Sequence, residues 1–263
     1  MRWAITDTWT IARRDFARWA RQPGPLVVAL LFPVLVVLMF GYLFGGAMVV
    51  PGGGGYREFL MPGMFALTML FGVETTMVAV SADAARGITD RFRSLPMAPS
   101  AVVAGRTVSD LVNSALGLAV MIGCGLLVGW RAHGGTGAAA GAVALLLLFR
   151  FAVLCLGVYL GLIVKGPESV VAAQILVWPV GFLASTFVPP DTIPGWLGAA
   201  AEWNPLSPTV SAVRELFGNP GTAGTAGGSW IAQHATLMAI VWPVLLVAVF
   251  APLAVRRYHR LAR

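Results

Sequence analysis

Six apolar runs, each about 20 residues long and so able at 1.5 Å per residue to cross a hydrocarbon layer, leave this chain little choice of fold. They occupy residues 25–44, 59–81, 108–130, 141–164, 169–188 and 231–255. Together they predict an all-α integral membrane protein with six transmembrane helices. Composition agrees: only 11% of residues are charged and mean hydropathy is +0.81, against roughly 25% charged residues in an ordinary soluble domain. A net charge of +7 could serve a polyanion, but no aromatic-interleaved basic patch accompanies it, and the arginines bracket apolar segments. Nucleic acid is therefore not an expected partner.

Between the second and third runs lies a charged, proline-punctuated island, SADAARGITDRFRSLPMAPSAVVAGR, residues 81–106. It carries Asp83, Arg86, Asp90, Arg91, Arg93 and Arg106, so it belongs in water beside the membrane. Pro96 and Pro99 break the run and Ser100 can cap a second helix, which predicts a short exposed helix over Asp90, Arg91, Phe92, Arg93, Ser94 and Leu95. Such a helix is a handle by which a cytoplasmic partner could move two spans. Arg91 and Arg93 would pair with acidic groups on that partner while Phe92 and Leu95 fill an apolar groove.

Ahead of the first run, Ile5, Trp9, Ala12, Phe16 and Trp19 recur at alternating spacings of four and three, with Arg14, Arg18 and Arg21 off that stripe. This pattern predicts an amphipathic interfacial helix within residues 1–24. The apolar run after it is longer than the core of a cleaved signal and reads as a retained span. Placing the amino terminus in the cytoplasm puts 14 basic residues inside and only Arg57, Arg131 and Arg214 outside, with Arg150 left within a span. Both termini are therefore expected to be cytoplasmic, including the basic tail 256–263.

The third outer connection is patterned. PPDTIPGW, an apolar stretch to Trp203, the breaker around Asn204 and Pro205, and a further stretch to Phe217 predict two helices too short to cross. Trp196 and Trp203 would anchor them at the interface.

Catalytic chemistry is not expected of this chain. There is no G-x-x-x-x-G-K-[ST], and the single lysine, Lys165, sits at a span end, so ATP would have to be held elsewhere. His133, His234 and His259 are scattered without HExxH, and neither GxSxG nor a carboxylate pair occurs. Cys124 and Cys155 lie within apolar runs at no ligand spacing and read as small buried hydrophobes, so no metal site is expected. Glu74 and Arg150 fall deepest in predicted spans, where a lone charge costs about 2.5–3.5 kcal/mol on insertion scales. Glu74 either attracts a cationic amphiphile or is satisfied by Arg150 or by Thr75 and Thr76. Met69, Phe71 and Met77 on the same span would give a candidate path an adaptable apolar wall.

Three stretches carry a resemblance: YREFLMPGMFALTML, ITDRFRSLPMAPSAVVAGR and FVPPDTIPGWLGAAAEWNPLSPTVSAVRELF. With the six runs and the amino-terminal stripe, the chain resembles the membrane subunits of ABC-2 type exporters, nearest the daunorubicin-resistance permeases of actinobacteria. The resemblance implies a multi-pass permease in a bacterial cell membrane, surrounded by lipid and exporting an amphipathic drug. It also implies that residues 90–95 belong to the coupling helix, that 6–21 form an elbow helix and that 194–217 form re-entrant outer helices. Two permeases, expected as a homodimer, would work with two ATPase subunits that hold ATP and Mg²⁺, no cofactor being bound by this chain. Export of a lipid or lipid-linked glycan, or a non-transporting anchor or assembly role, are the alternatives.

Overall fold

The structure, a computed structural model, describes residues 24–46, 50, 53, 55–85, 99–164, 166–188, 193–221 and 229–260. The amino-terminal stripe, the island residues 86–98 with Asp90 to Leu95, Lys165, residues 189–192 and the tail residues 261–263 lie outside the described set.

Each predicted run holds a helix. Helix α1, Gly24–Leu38, passes into a π-helical stretch, Met39–Phe44. Then come α2 (Tyr56–Ala85), α3 (Pro99–Val128), α4 (Gly135–Ile163) and the shorter α5 (Gly166–Phe182). Two short helices, α6 (Gly195–Trp203) and α7 (Leu206–Phe217), precede α8 (Trp230–Gln233) and α9 (Ala235–Arg260). Among the described residues there is no strand. By length and composition, four stretches among them can cross a membrane: Tyr56–Ala85, Thr107–Val128, Gly135–Ile163 and Ala235–Tyr258. Leu30–Leu43 and Glu168–Phe182 are apolar but shorter.

Helix α2 is the hub. Phe59, Leu60, Met61, Met64, Phe65, Leu67 and Met69 are all nearly inaccessible, the pattern of a helix apolar on every side and surrounded by others. Its closest neighbour is α4, and the reason is local. A methyl group at Gly157 would lie 3.0 Å from the Val73 carbonyl, and one at Gly161 would lie 2.8 Å from the Met77 carbonyl. The GVYLG step thus lets two backbones touch, the small-xxx-small device of membrane helices. By contrast α3 and α9 show outward rows, Val112, Leu116 and Val120 on one and Leu237, Val244 and Val249 on the other. Such apolar faces suit a lipid environment.

At the end of the bundle where α1, α3 and α5 finish, the last carbonyls of each need donors. Gly129, at φ +99°, closes α3, with Trp130 N donating to the Gly125 carbonyl at 2.9 Å. Gly218, at φ +68°, closes α7 in the same manner, Asn219 N reaching the Arg214 carbonyl at 3.0 Å. Both are glycine-ended Schellman caps. Helix α7 is no surface element: Leu206, Val210, Val213 and Phe217 enter the main core, wedging it among α2, α4 and α9.

Candidate functional site

A cleft of about 220 Å³ opens among α1, α2, α3 and α5. Its apolar part is a three-ring cluster. Phe32 meets Trp178 edge-on at 4.9 Å, Phe71 meets Trp178 at 5.3 Å, and Phe32 lies 5.9 Å from Phe71. Its polar part is Glu74 with Thr68, Thr75, Asn113 and Ser114. Glu74 is half-buried, has the Gln174 side chain of α5 as a polar neighbour, and has Oε1 buried with no hydrogen-bond partner. Of the path residues read from the sequence, Met69, Phe71 and Glu74 line this cleft. Met77 does not. It is 1% exposed, and its backbone faces Gly161 of α4.

Arg150 is not the partner of Glu74. Its Nε donates to Ser114 Oγ at 2.6 Å and its Nη2 to Thr76 Oγ1 at 2.9 Å. The Thr76 hydroxyl in turn donates to Asp110 Oδ2 at 3.2 Å, and Asp110 attracts the guanidinium electrostatically. The physical reason is angular. At 3.6 residues per turn, positions 74 and 76 point about 200° apart on α2, so Glu74 turns toward α5 while Thr76 turns toward α4. Asp110, Ser114, Trp178 and Gln174 went unread in the sequence because each belongs to a different predicted run from Glu74 and Thr76.

The three arginines that break the charge asymmetry all cap carbonyls at one end of the bundle. Arg57 Nε donates to the Gly41 carbonyl at 3.0 Å, within the π-helical stretch, and its guanidinium lies 4.1 Å over the Tyr42 ring. Arg131 Nη1 donates to the Leu126 and Trp130 carbonyls at 2.8 and 2.9 Å. Arg214 is fully buried and lies 3.7 Å over the Phe59 ring. It serves the carbonyls of Phe59, Ser185 and Thr186 at 2.9, 2.7 and 3.1 Å. Residues 183–188 are irregular backbone after α5, and at membrane depth such carbonyls must find protein donors. Tyr56 adds one, its hydroxyl reaching the Phe187 carbonyl at 3.3 Å. Arg131 sits at the carboxyl end of α3, where the dipole favours it.

Trp196 and Trp203, on α6, remain largely exposed. Asn204 is buried at the break. Its Nδ2 donates to the Val180 carbonyl at 2.6 Å and its Oδ1 accepts from Leu206 N at 3.0 Å, while Pro205 opens α7. The short stretches thus differ: α6 is peripheral and α7 is core. Cys155 is a buried free thiol and Cys124 a partly buried one. Among the described residues no cluster of His, Cys, Asp and Glu could hold a metal ion.

The arrangement supplies an apolar, aromatic recess with one acidic side chain, and the buried Arg150 behind its wall is bonded to Ser114 and Thr76. The chain also resembles known proteins. The sequence profile described as ABC-2 type transporter matches residues 6–217. The chain is 34% identical over 257 residues to the daunorubicin resistance ABC transporter permease protein DrrB1 of Streptomyces coeruleorubidus, covering 97% of this chain and 87% of that protein. It is 21% identical over 217 residues to the probable doxorubicin resistance ABC transporter permease protein DrrC of Mycobacterium tuberculosis, covering 80% and 76%. It is 22% identical over 218 residues to the putative transport permease ycf38 of Porphyra purpurea, covering 82% and 75%.

Proposed function

The chain belongs to the ABC-2 type transporter family, and from that premise we propose that it is the permease subunit of an ATP-driven exporter moving an amphipathic, drug-like substrate out of the cell. The observation that carries this reading is the likeness to a daunorubicin-resistance permease along 97% of the chain. Residues 25–255 form the transmembrane domain, α1 and α5 completing six spans, with both termini and residues 86–98 in the cytoplasm. The membrane is a bacterial plasma membrane.

The energy enters from a separate ATPase subunit, where ATP and Mg²⁺ are held. Closure of an ATPase pair displaces the helix at Asp90 to Leu95, and α2 and α3 carry that movement into the membrane, shifting the balance between an inward and an outward cavity. A second copy of the permease completes the path. The amphipathic stripe at residues 6–21 lies as an elbow along the cytoplasmic surface. Helices α6 and α7 form the re-entrant outer element, with Trp196 and Trp203 at the interface.

Within each subunit, the cleft with Met69, Phe71 and Glu74 is the place where substrate meets the chain. The three rings offer flat apolar contact, and the Glu74 oxygen without a partner attracts a positive group. The test is purification of the tagged chain from its native membrane. An ATPase subunit should come with it, and doxorubicin should raise its ATP turnover. Purification without any ATPase would contradict the reading.

A further inference from the structure

The groups around Arg150 neutralise a buried charge, yet their placement is more regular than neutralisation requires. Thr76 lies nine residues before the end of α2 at Ala85, and Asp110 lies 11 residues after the start of α3 at Pro99. At 1.5 Å per residue both are about 14–17 Å along their helices from the loop that joins them. The Thr76 hydroxyl, donating to Asp110 Oδ2 while accepting from Arg150 Nη2, makes a rung between the two helices at equal height.

One turn farther from the loop, Gly72 on α2 and Ser114 on α3 both line the cleft. Both also meet the same guanidinium. Ser114 Oγ accepts from Nε at 2.6 Å, and a methyl group at Gly72 would lie 2.5 Å from Cζ. Ser114 also donates to the Asp110 carbonyl at 2.8 Å, tying the rung to the cleft wall along α3. Arg150 is 2% exposed and is carried by a third helix, α4, held against α2 through Gly157 and Gly161. In a low-dielectric interior such a chain of donors and acceptors is stiff, and breaking one link leaves a buried charge without compensation.

We infer that Arg150, Thr76 and Asp110 are positioning residues for transport. They make α2 and α3 move as one body when the loop between them is displaced, and they pass that movement through Ser114 and Gly72 to the cleft. This rests on the exporter reading, because only there does the loop receive force.

The test uses the permease with its ATPase in proteoliposomes, measuring ATP hydrolysis and doxorubicin transport in the same sample. Thr76→Val keeps the shape and removes the hydroxyl; Thr76→Ser keeps the hydroxyl. Drug moved per ATP should fall at least about fivefold in Thr76→Val, with ATPase activity and the KM for drug unchanged, and Thr76→Ser should restore most of it. An unchanged ratio in Thr76→Val, or equal loss in both variants, overturns the inference. Should Thr76→Val fail to reach the membrane, Ser114→Ala, which removes both the Nε acceptor and the bond to the Asp110 carbonyl, is read by the same ratio at saturating drug. Absence of transport in the unaltered complex would remove the exporter reading itself, and this inference with it.

Discussion

Trp130 donates its indole N–H to the side-chain oxygen of Asn219 at 2.9 Å, joining the two residues next after the left-handed glycines that end α3 and α7. The Asn219 amide continues to the Arg131 carbonyl at 2.9 Å, and the Phe217 carbonyl accepts from His133 N and Gly134 N at 2.7 and 3.0 Å. One small knot thus ties the ends of α3 and α7 to the start of α4 and places Arg214 under the irregular turn at 183–188.

Because that knot is buried, Asn219→Ala should leave the indole N–H without a partner and cost about 1–3 kcal/mol. Gly218→Ala should cost at least as much, since φ is +68° and the added carbon would lie 2.9 Å from Gly134 N. Thermal unfolding in detergent reads both. Unfolding at the unaltered temperature in either variant would show that the knot contributes nothing to stability.

The contact between α2 and α4 makes a second stability prediction. Gly161→Ala would set a carbon 2.7 Å from Val80 Cβ and 2.8 Å from the Met77 carbonyl. The helices must part, at about 1–3 kcal/mol for overpacking. Gly137→Ala, at a position with open space around it, serves as the control in the same melting experiment and should unfold like the parent.

Periodicity and length made the helices legible, because a hydrocarbon-length apolar run has few other uses. Their ends were less so. Helix α2 begins at Tyr56 and runs to Ala85, beyond the apolar run at 59–81, because helical hydrogen bonding continues through polar residues once the span has started. The GVYLG step, residues 157–161, shows in the sequence that a backbone can approach α4 closely, but not that α2 is the helix that does. The partner of Arg150 could not be reached from depth alone: Asp110 stands just inside the third run, where a charge looks interfacial, and only the packing of α2, α3 and α4 brings it to Thr76. Glu74 and the aromatic part of Phe71 were visible on one span, whereas Phe32 and Trp178 become its neighbours only through the fold.

Glu74→Gln keeps the size of the side chain and removes the charge. A charge-assisted contact to a cationic drug is worth about 1.5–3 kcal/mol, so KM for such a drug should rise about 10–100-fold. A neutral amphiphile of similar size should be transported as before. Competitive uptake assays on both compounds decide the matter, and equal effects on the two would rule Glu74 out as the cation's partner.

The proposed docking segment, residues 90–95, makes a prediction independent of the cleft. Replacing Phe92 and Leu95 together by Ala should strip the ATPase from the purified permease and abolish efflux while leaving the melting temperature of the permease unchanged. Retention of the ATPase at the unaltered ratio would move the docking surface elsewhere.

The exporter account turns on energy arriving from another subunit. Inside-out vesicles carrying the permease with its ATPase should accumulate doxorubicin when given ATP and Mg²⁺, and vesicles carrying the permease alone should not. ATP-dependent accumulation by the permease alone, or none by the pair while ATP is being hydrolysed, would contradict it.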